Sequence, residues 1–257
     1  MLTQPANVLV TRPEPKAQVL VSYLQEQGIT ASSQALFDYQ NFTDTQTVSH
    51  ALNTSDSIIF VSVAAVEFAH RNFPLVKNAK QSFFAVGKAT QQALFKLSIK
   101  QVKTPSIENS EGLLALDELL TVKDQKITIF RGDGGREHLA QTLAKRGAKV
   151  NYVESYQRVW RTFPKSIAKQ WQAQQINCIV VTSNAILTKL VDIIDAFNNA
   201  NEATNDEVCS YKYWREKCTW LVASQRIADN ALSLGLKHVI NMNGASDSII
   251  SQQIKQL

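Results

Sequence analysis

Four short turns in the sequence combine small or hydroxyl-bearing residues with the predicted start of a helix. Such turns offer unpaired backbone N–H groups and the positive end of the helix dipole, and both favour an anion. N-capping of the helix by serine or threonine is the simpler interpretation and needs no ligand. Because the pattern recurs, both interpretations stay open. The four turns are Ser62-Val63-Ala64, Gly87-Lys88-Ala89-Thr90, Thr182-Ser183-Asn184 and Ser224-Gln225-Arg226.

Two arginines stand where predicted strands end. Arg12 and Arg131 occupy matching places and project into the loop layer of the predicted fold. A guanidinium can form two parallel hydrogen bonds with a carboxylate, so both are candidate ligands for a carboxylate substrate. The competing interpretation is a structural ion pair with a neighbouring acid, Glu14 or Asp133.

The residue sets that mark most enzyme classes are missing from the sequence. Gly132-Asp133-Gly134-Gly135 follows a predicted strand, but Glu137 stands where a dinucleotide fingerprint has its third glycine. The four histidines are scattered, and the three cysteines show no metal spacing and no disulfide framework. We therefore expect no metal site, no covalent nucleophile and no cofactor.

The charge of the chain agrees both with simple solubility and with a small anionic partner, and both interpretations stay open. The 257 residues carry a net charge of +5, with a pI near 9.0. No block of lysine and arginine and no nucleic-acid motif is present, so a nucleic-acid partner is not expected. No apolar run approaches the roughly 18–20 residues of a membrane span, and Met1–Asn7 is polar. A cytoplasmic protein without a membrane partner is the expectation.

Strand and helix patterns alternate along the chain. Apolar runs such as Val8–Thr11, Ser57–Val61 and Cys178–Thr182 precede helix patterns such as Pro15–Gln27 and Asn184–Ala196. Strands that are apolar throughout are typical of parallel sheets covered on both faces. The alternation predicts an α/β fold, in which ligands bind at the carboxyl ends of the strands.

An internal repeat relates the two halves of the chain. VLVTRPEPKAQVLVSYLQEQG from Val8 aligns with ITIFRGDGGREHLAQTLAKRG from Ile127, and IIFVSVAAV from Ile58 aligns with IVVTSNAIL from Ile179. The repeat predicts two related α/β lobes with a cleft between them. Asn198–Lys217 has no counterpart, and we interpret it as a polar surface insertion.

Several motifs occur in an order and spacing that resemble the uroporphyrinogen-III synthase family over nearly the whole chain. They are TRPEPKAQ, FAVGKAT, RGDGGREHLAQTL, SYQRV and ASDSII. The resemblance implies two parallel-sheet α/β lobes, flavodoxin-like or Rossmann-like, joined by a two-stranded linker. The repeat alone would cut the chain near Lys126, and the resemblance replaces that cut. The implied divisions are one lobe from 1–36 and 163–257, a second lobe at 49–150, and linker strands at 37–48 and 151–162.

The resemblance also implies a reaction. The family's substrate is hydroxymethylbilane, a linear chain of four pyrroles with eight carboxylates, which agrees with the basic charge. Loss of its terminal hydroxyl as water gives an electrophilic azafulvene, and closure through a spiro intermediate inverts the last ring. Spontaneous closure gives the uninverted isomer. The enzyme needs no cofactor and mainly holds the chain curled, which is catalysis by positioning.

The resemblance assigns roles to individual residues. Tyr156 in SYQRV matches the tyrosine usually proposed to protonate the departing hydroxyl, and the alternative is a buried linker tyrosine that packs a hinge. Ser62 and Thr90 match positions that hydrogen-bond substrate carboxylates. Arg226 and Ile227 replace a Thr-Thr pair of some members, so we expect that turn to act through its backbone N–H groups.

The expected partners and the rival functions complete the interpretation. We expect a monomer that acts on hydroxymethylbilane, with hydroxymethylbilane synthase as a transient partner. A two-lobed binding protein without catalysis is the main alternative. An NAD(P)-dependent oxidoreductase is a second alternative, which the broken glycine pattern disfavours.

Overall fold

Strands and helices alternate along the chain in the computed structural model, which describes residues 4–76, 80–134, 137–201 and 211–257. The strands are β1 (Asn7–Val10), β2 (Thr30–Ser33), β3 (Phe37–Asn41), β4 (Ser57–Phe60), β5 (Ser82–Ala85), β6 (Val102–Lys103), β7 (Lys126–Gly132), β8 (Lys149–Trp160), β9 (Cys178–Val181), β10 (Thr219–Val222) and β11 (His238–Asn241). The helices are α1 (Lys16–Gln25), α2 (Thr45–Thr54), α3 (Val63–Asn72), α4 (Lys88–Lys96), α5 (Ser110–Leu114), α6 (Asp117–Leu120), α7 (His138–Lys145), α8 (Ile167–Ala173), α9 (Asn184–Asn201), α10 (Tyr211–Glu216), α11 (Gln225–Ser233) and α12 (Asp247–Ile254).

The chain forms two compact units. The first unit joins Met1–Asp38 to Trp160–Leu257, and the second unit is Tyr39–Val159. The first unit is therefore made from both ends of the chain, and the second is made from its middle.

The segments predicted as linker strands are 37–48, which contains β3 and the start of α2, and 151–162, which contains most of β8. β3 is only five residues long, and α2 follows it after Asp44, whose carboxylate accepts a hydrogen bond from Thr47 N at 2.7 Å. An aspartate at this position stabilises a helix start, which explains why the helix begins within the predicted strand. β8 lies inside the sheet of the second unit, beside β7.

A five-stranded parallel sheet in the order β11-β10-β9-β1-β2 forms the centre of the first unit. Val8 lies opposite Cys178, and Cys178 lies opposite Thr219 on the next strand. Every residue of β9 and β10 is buried, so the sheet is covered on both faces. This coverage is the physical reason for the continuous apolar runs in the sequence.

A six-stranded sheet in the order β3-β8-β7-β4-β5-β6 forms the centre of the second unit. Its β4, β5, β6, β7 and β8 run parallel. Phe60 stacks against Phe83 and Phe130 on one face, with ring centroids 6.2 and 4.8 Å away. Ile59 and Phe84 pack in a separate apolar cluster.

Five strands of the second sheet correspond to the strands of the first, and each sheet draws its strands from both halves of the repeat. β2-β1-β9-β10-β11 in the first unit corresponds to β8-β7-β4-β5-β6 in the second. The cut near Lys126 that the repeat alone suggests is therefore wrong, because Lys126 begins β7 inside the second unit. Numbered along the chain, the first sheet has the flavodoxin-like order 2-1-3-4-5, and the second sheet, apart from β3, has the Rossmann-like order 3-2-1-4-5. In both orders, ligands bind at the carboxyl ends of the two strands where the order reverses. Those strands are β1 and β9 in the first unit and β7 and β4 in the second.

The segment Asn198–Lys217, which we interpreted as a surface insertion, ends in a helix that carries a buried tryptophan. Its residues 202–210 lie outside the described residues, but α10 carries Trp214, which is 1% exposed. The Trp214 ring meets Trp171 edge to face at 6.2 Å, and its carbonyl accepts a hydrogen bond from the Trp220 indole at 2.8 Å. Trp214 is therefore a core residue, whereas Lys212 and Glu216 of the same helix are exposed.

Among the described residues, no helix combines the length and the hydropathy that crossing a membrane requires. Within the same ranges, no three His, Cys, Asp or Glu side chains cluster in a way that could hold a metal ion. Cys178 and Cys218 are free thiols inside the first unit, and burial raises the pKa of Cys178 to about 12. Cys209 lies outside the described residues.

Candidate active site

A cavity of about 270 Å³ lies in the second unit, at the carboxyl ends of β4 and β7. This is the point where the strand order reverses, so the topology alone makes it the expected ligand site. Polar and aromatic side chains line it together with a glycine-rich turn. The lining residues are Val61, Ser62, Ser110, Ile129, Arg131, Gly132, Asp133, Gly134, Leu139, Tyr152, Tyr156 and Arg158.

A β-bulge in β8 decides which way Tyr156 points. The regular pairing of β8 with β7 shifts after Arg131, so that Gly132 pairs with Tyr156 and Ser155 is passed over. Strict alternation would place residue 155 on the face of Val153 and turn residue 156 to the other face. The extra residue reverses this alternation, and Tyr156 joins Val153 in one apolar cluster.

The phenol of Tyr156 is fixed from several directions. Its side chain is 5% exposed, and its Oη lies 3.1 Å from Ser62 Oγ in a hydrogen bond. The ring packs against Tyr39 and Phe68, with centroids 4.8 and 5.7 Å away. Its backbone carbonyl accepts a hydrogen bond from Asp133 N at 2.7 Å. A proton donor is thus held at the wall of the cavity.

Two tyrosines, Tyr39 packed against the Tyr156 ring and Tyr152 in the cavity lining, have raised pKa values. Burial, together with the neighbouring Tyr156, raises the pKa of the Tyr39 phenol. Burial, followed by the Glu137 carboxylate, raises the pKa of Tyr152 to about 12. A neutral phenol can donate a proton but carries no charge that would repel an anionic ligand.

Arg131 is held by two carboxylates rather than standing open in the cavity. Its Nη2 lies 2.9 Å from Glu154 Oε1, and its Nη1 lies 2.8 Å from Glu137 Oε1. Its guanidinium stacks on the Tyr152 ring at 3.7 Å from the centroid. The hydrogen bond from Arg131 lowers the pKa of Glu137. The ion-pair interpretation of the sequence named Asp133 as the partner of Arg131, but its partners in the structure are Glu137 and Glu154.

Arg12 of the first unit is also paired within its own unit. Its Nη1 lies 2.7 Å from Asp247 Oδ1, at the start of α12, and its Nη2 donates to the carbonyl of Ala245. Its partner is therefore Asp247 and not the neighbouring Glu14 considered from the sequence. The contact joins residues 235 positions apart, which explains why no local pattern could reveal it.

The turn after β4 acts as a helix cap and also contacts Tyr156. Ser62 Oγ accepts a hydrogen bond from Ala65 N at 3.0 Å and so caps α3. The first-turn N–H groups of a helix, here those of Val63 and Ala64, have no acceptor within the helix itself. Capping and ligand binding are therefore compatible in this turn.

The turn before α4 lies beside a carboxylate of the protein itself. A Cβ atom added to Gly87 would overlap the carboxylate of Glu108. Lys88 is exposed, whereas Thr90 is 3% exposed and packed inside the second unit. An anionic group already sits next to this helix start, as the dipole favours.

The predicted turns of the first unit use their side chains in different ways. Ser183 Oγ accepts a hydrogen bond from Ile186 N at 3.3 Å, whereas Ser224 precedes α11 without a side-chain cap. The other four predicted residues are half-buried or exposed at these helix starts. They are Thr182, Asn184, Gln225 and Arg226.

The structure brings only some of the predicted site residues together. Tyr156, Ser62 and Arg131 line one cavity, and the other predicted residues do not appear in its lining. Sequence reasoning missed Tyr152 and Arg158 as cavity residues. A signal for Arg158 was present, since it follows Tyr156 by two positions in a strand and side chains two apart share a face.

Comparison with known proteins gives a consistent assignment. The family described as uroporphyrinogen-III synthase HemD matches residues 18–250. The uroporphyrinogen-III synthase of Salmonella typhimurium is 31% identical, with 95% of this chain and 98% of that protein covered. The uroporphyrinogen-III synthase of Escherichia coli is 32% identical with the same coverage.

Solved structures show a similar fold. A mutant uroporphyrinogen III synthase from the extremely thermophilic bacterium Thermus thermophilus matches with a TM-score of 0.59 at 13% identity, covering 98% of this chain and 99% of that chain. The synthetase from Helicobacter pylori matches with a TM-score of 0.57 at 11% identity, covering 98% and 100%. The predicted α/β fold with two parallel-sheet lobes is confirmed. Together with the family match and the sequence relatives, these findings show that the chain belongs to the uroporphyrinogen-III synthase family.

Proposed function

We propose that this chain, as a uroporphyrinogen-III synthase, uses Tyr156 to start the closure of hydroxymethylbilane into uroporphyrinogen III with the last ring inverted. The chain is a lyase of tetrapyrrole and heme biosynthesis, as its family membership implies. The observation that supports the assignment of Tyr156 is its phenol, buried beside Ser62 at the wall of the cavity where the strand order reverses.

Tyr156 acts as the general acid in the first step. Its phenol donates a proton to the terminal hydroxyl of the substrate, the C–O bond breaks, and water leaves with the bonding electron pair. The electron-rich pyrrole supplies the electrons that form the azafulvene, so no cofactor is needed. Ser62 orients the phenol through the 3.1 Å hydrogen bond. The proton that the closed ring finally releases restores the phenol.

The helix-start turns bind the carboxylates of the substrate. Backbone N–H groups and the helix dipole favour an anion at each turn, and the side chains add hydrogen bonds. Arg12 and Arg131 add positive charge in their own units. For Arg131, Glu137 is the partner that a substrate carboxylate displaces, because its side chain is 49% exposed whereas that of Glu154 is 29% exposed. The proposed turn residues are Ser62, Val63, Ala64, Gly87, Lys88, Thr90, Thr182, Ser183, Asn184, Ser224, Gln225 and Arg226.

The wider setting is also part of the proposal. The chain acts as a monomer in the cytoplasm and takes its substrate from hydroxymethylbilane synthase in a transient contact. Direct transfer would reduce the spontaneous closure that gives the uninverted isomer. Buried free thiols at Cys178 and Cys218 suit a reducing compartment.

The purified chain should convert hydroxymethylbilane mainly into the type III isomer without any added cofactor. Hydroxymethylbilane synthase supplies the substrate in a coupled assay, and the porphyrin isomers are separated after oxidation. The same mixture without the chain is the control and should give the type I isomer. If only the type I isomer accumulates when the chain is present, the proposed function is wrong.

Rising salt should weaken substrate binding. An increase in ionic strength from about 0.05 M to about 0.5 M shortens the range of charge interactions to well under about 10 Å. We therefore expect KM to rise several-fold while kcat at saturating substrate changes little. Initial rates across a sodium chloride series measure both constants. A KM that is independent of salt would show that neutral contacts dominate binding.

A further inference from the structure

We infer that Gly132 is a positioning residue for Tyr156, because only a residue without a side chain lets the phenol ring lie against the end of β7. The inference rests on the proposed function of Tyr156 as general acid. It also assigns a purpose to the first glycine of the sequence Gly132-Asp133-Gly134-Gly135, which imitates a nucleotide-binding sequence without completing it.

The contact between Gly132 and Tyr156 is close enough to exclude a methyl group. A Cβ atom added to Gly132 would lie 2.6 Å from both Cε2 and Cζ of the Tyr156 ring and 3.0 Å from its Oη. Non-bonded carbon atoms are ordinarily at least about 3.5 Å apart, so either the ring or the strand would have to move. The position is also outside the left-handed backbone region, so close approach, not conformational freedom, requires the glycine.

The ring of Tyr156 has little room to retreat from an added methyl group. Tyr39 meets it edge to face at 4.8 Å, Phe68 lies 5.7 Å away, and the side chain is 5% exposed. The β-bulge that passes over Ser155 fixes its backbone opposite Gly132. The movement that remains shifts the hydroxyl along the cavity wall and lengthens its bond to Ser62.

A small displacement of the acid should cost a large part of the rate. A misplacement of about 1 Å can lower a rate by about 100-fold, because the reacting atoms must meet at hydrogen-bond distance. Gly132→Ala should therefore lower kcat for the type III isomer roughly 10- to 100-fold. The change in KM should be much smaller, because the carboxylate-binding turns are untouched.

A double-mutant comparison separates positioning from general damage. In the Tyr156→Phe background the acid is already absent, so Gly132→Ala should lower kcat no further. An equal fall in both backgrounds, or a wild-type kcat for Gly132→Ala, would overturn the inference. If the wild-type chain forms no type III isomer, it is the proposed function that fails. If Tyr156→Phe keeps full activity, the resonances of labelled Tyr156 still report whether Gly132→Ala moves the ring.

Two further variants control for folding. Gly28→Ala places a methyl group in open space but at a φ of +75°, so it should lower stability and leave kcat unchanged. Should Gly132→Ala fail to fold, Tyr156→Ala removes the ring and makes room for the methyl group. The double variant with Gly132→Ala and Tyr156→Ala should then fold, with a thermal midpoint close to that of Tyr156→Ala. A double variant that fails to fold, while Tyr156→Ala alone folds, would overturn the inference.

Discussion

Replacing Tyr156 by phenylalanine should lower kcat for formation of uroporphyrinogen III by roughly 100-fold or more, since a positioned general acid contributes about that factor. Phenylalanine keeps the ring contacts with Tyr39 and Phe68, so the fold should persist. Loss of the hydrogen bond to Ser62 should cost only about 1 kcal/mol of stability. Initial rates with separation of the porphyrin isomers measure the change, and thermal unfolding checks the fold.

The matched control for this substitution is Tyr23→Phe. Tyr23 is a half-buried tyrosine of α1 in the first unit, and it packs at the edge of that unit's core. The Tyr23→Phe variant lacks one hydroxyl but should show no fall in kcat. A Tyr156→Phe variant with a kcat like that of Tyr23→Phe would leave Tyr156 as a packing residue, which is the alternative considered from the sequence.

Replacing Trp214 by alanine should lower the free energy of unfolding by about 3–5 kcal/mol, as is usual when a large buried aromatic is truncated. Trp214 is 1% exposed and packs against Trp171 and Tyr213 at centroid distances of 6.2 and 5.1 Å. The cavity left behind would not be refilled, because Trp171 is held on a separate helix. Urea unfolding followed by circular dichroism measures the loss.

Trp160→Ala is the matched control for Trp214→Ala. Trp160 is 38% exposed and makes an edge-to-face contact with Phe37 at 5.2 Å. The same atoms are removed, but less apolar surface is buried, so the loss should be clearly smaller. Equal losses in the two variants would contradict the burial of Trp214 in the core of the first unit.

Local patterns in the sequence determined the fold class and part of the site. The apolar runs predicted buried parallel strands, and every residue of β4, β9 and β10 is buried. The serine before a predicted helix indicated a cap, and Ser62 caps α3. These predictions succeeded because strand burial and capping depend on residues within a few positions of one another.

The tertiary structure decided the features that join distant parts of the chain. Arg131 pairs with Glu154, which is 23 positions away, and Arg12 pairs with Asp247. Trp214 entered the core although its segment is polar, because its helix packs against Trp171. No local window contains both members of such pairs, so charge and spacing could suggest an ion pair but not its partner.

The placement of Tyr156 depends on both the local sequence and the tertiary structure. The motif SYQRV identified the residue, but strand alternation alone does not place it with Val153 in one cluster. One extra residue in β8 reverses the alternation, and a glycine on β7 gives the ring its space. The sequence determined which side chain is the candidate for the chemistry. Only the pairing of β7 with β8 decided where that side chain lies, because register is a property of two strands together.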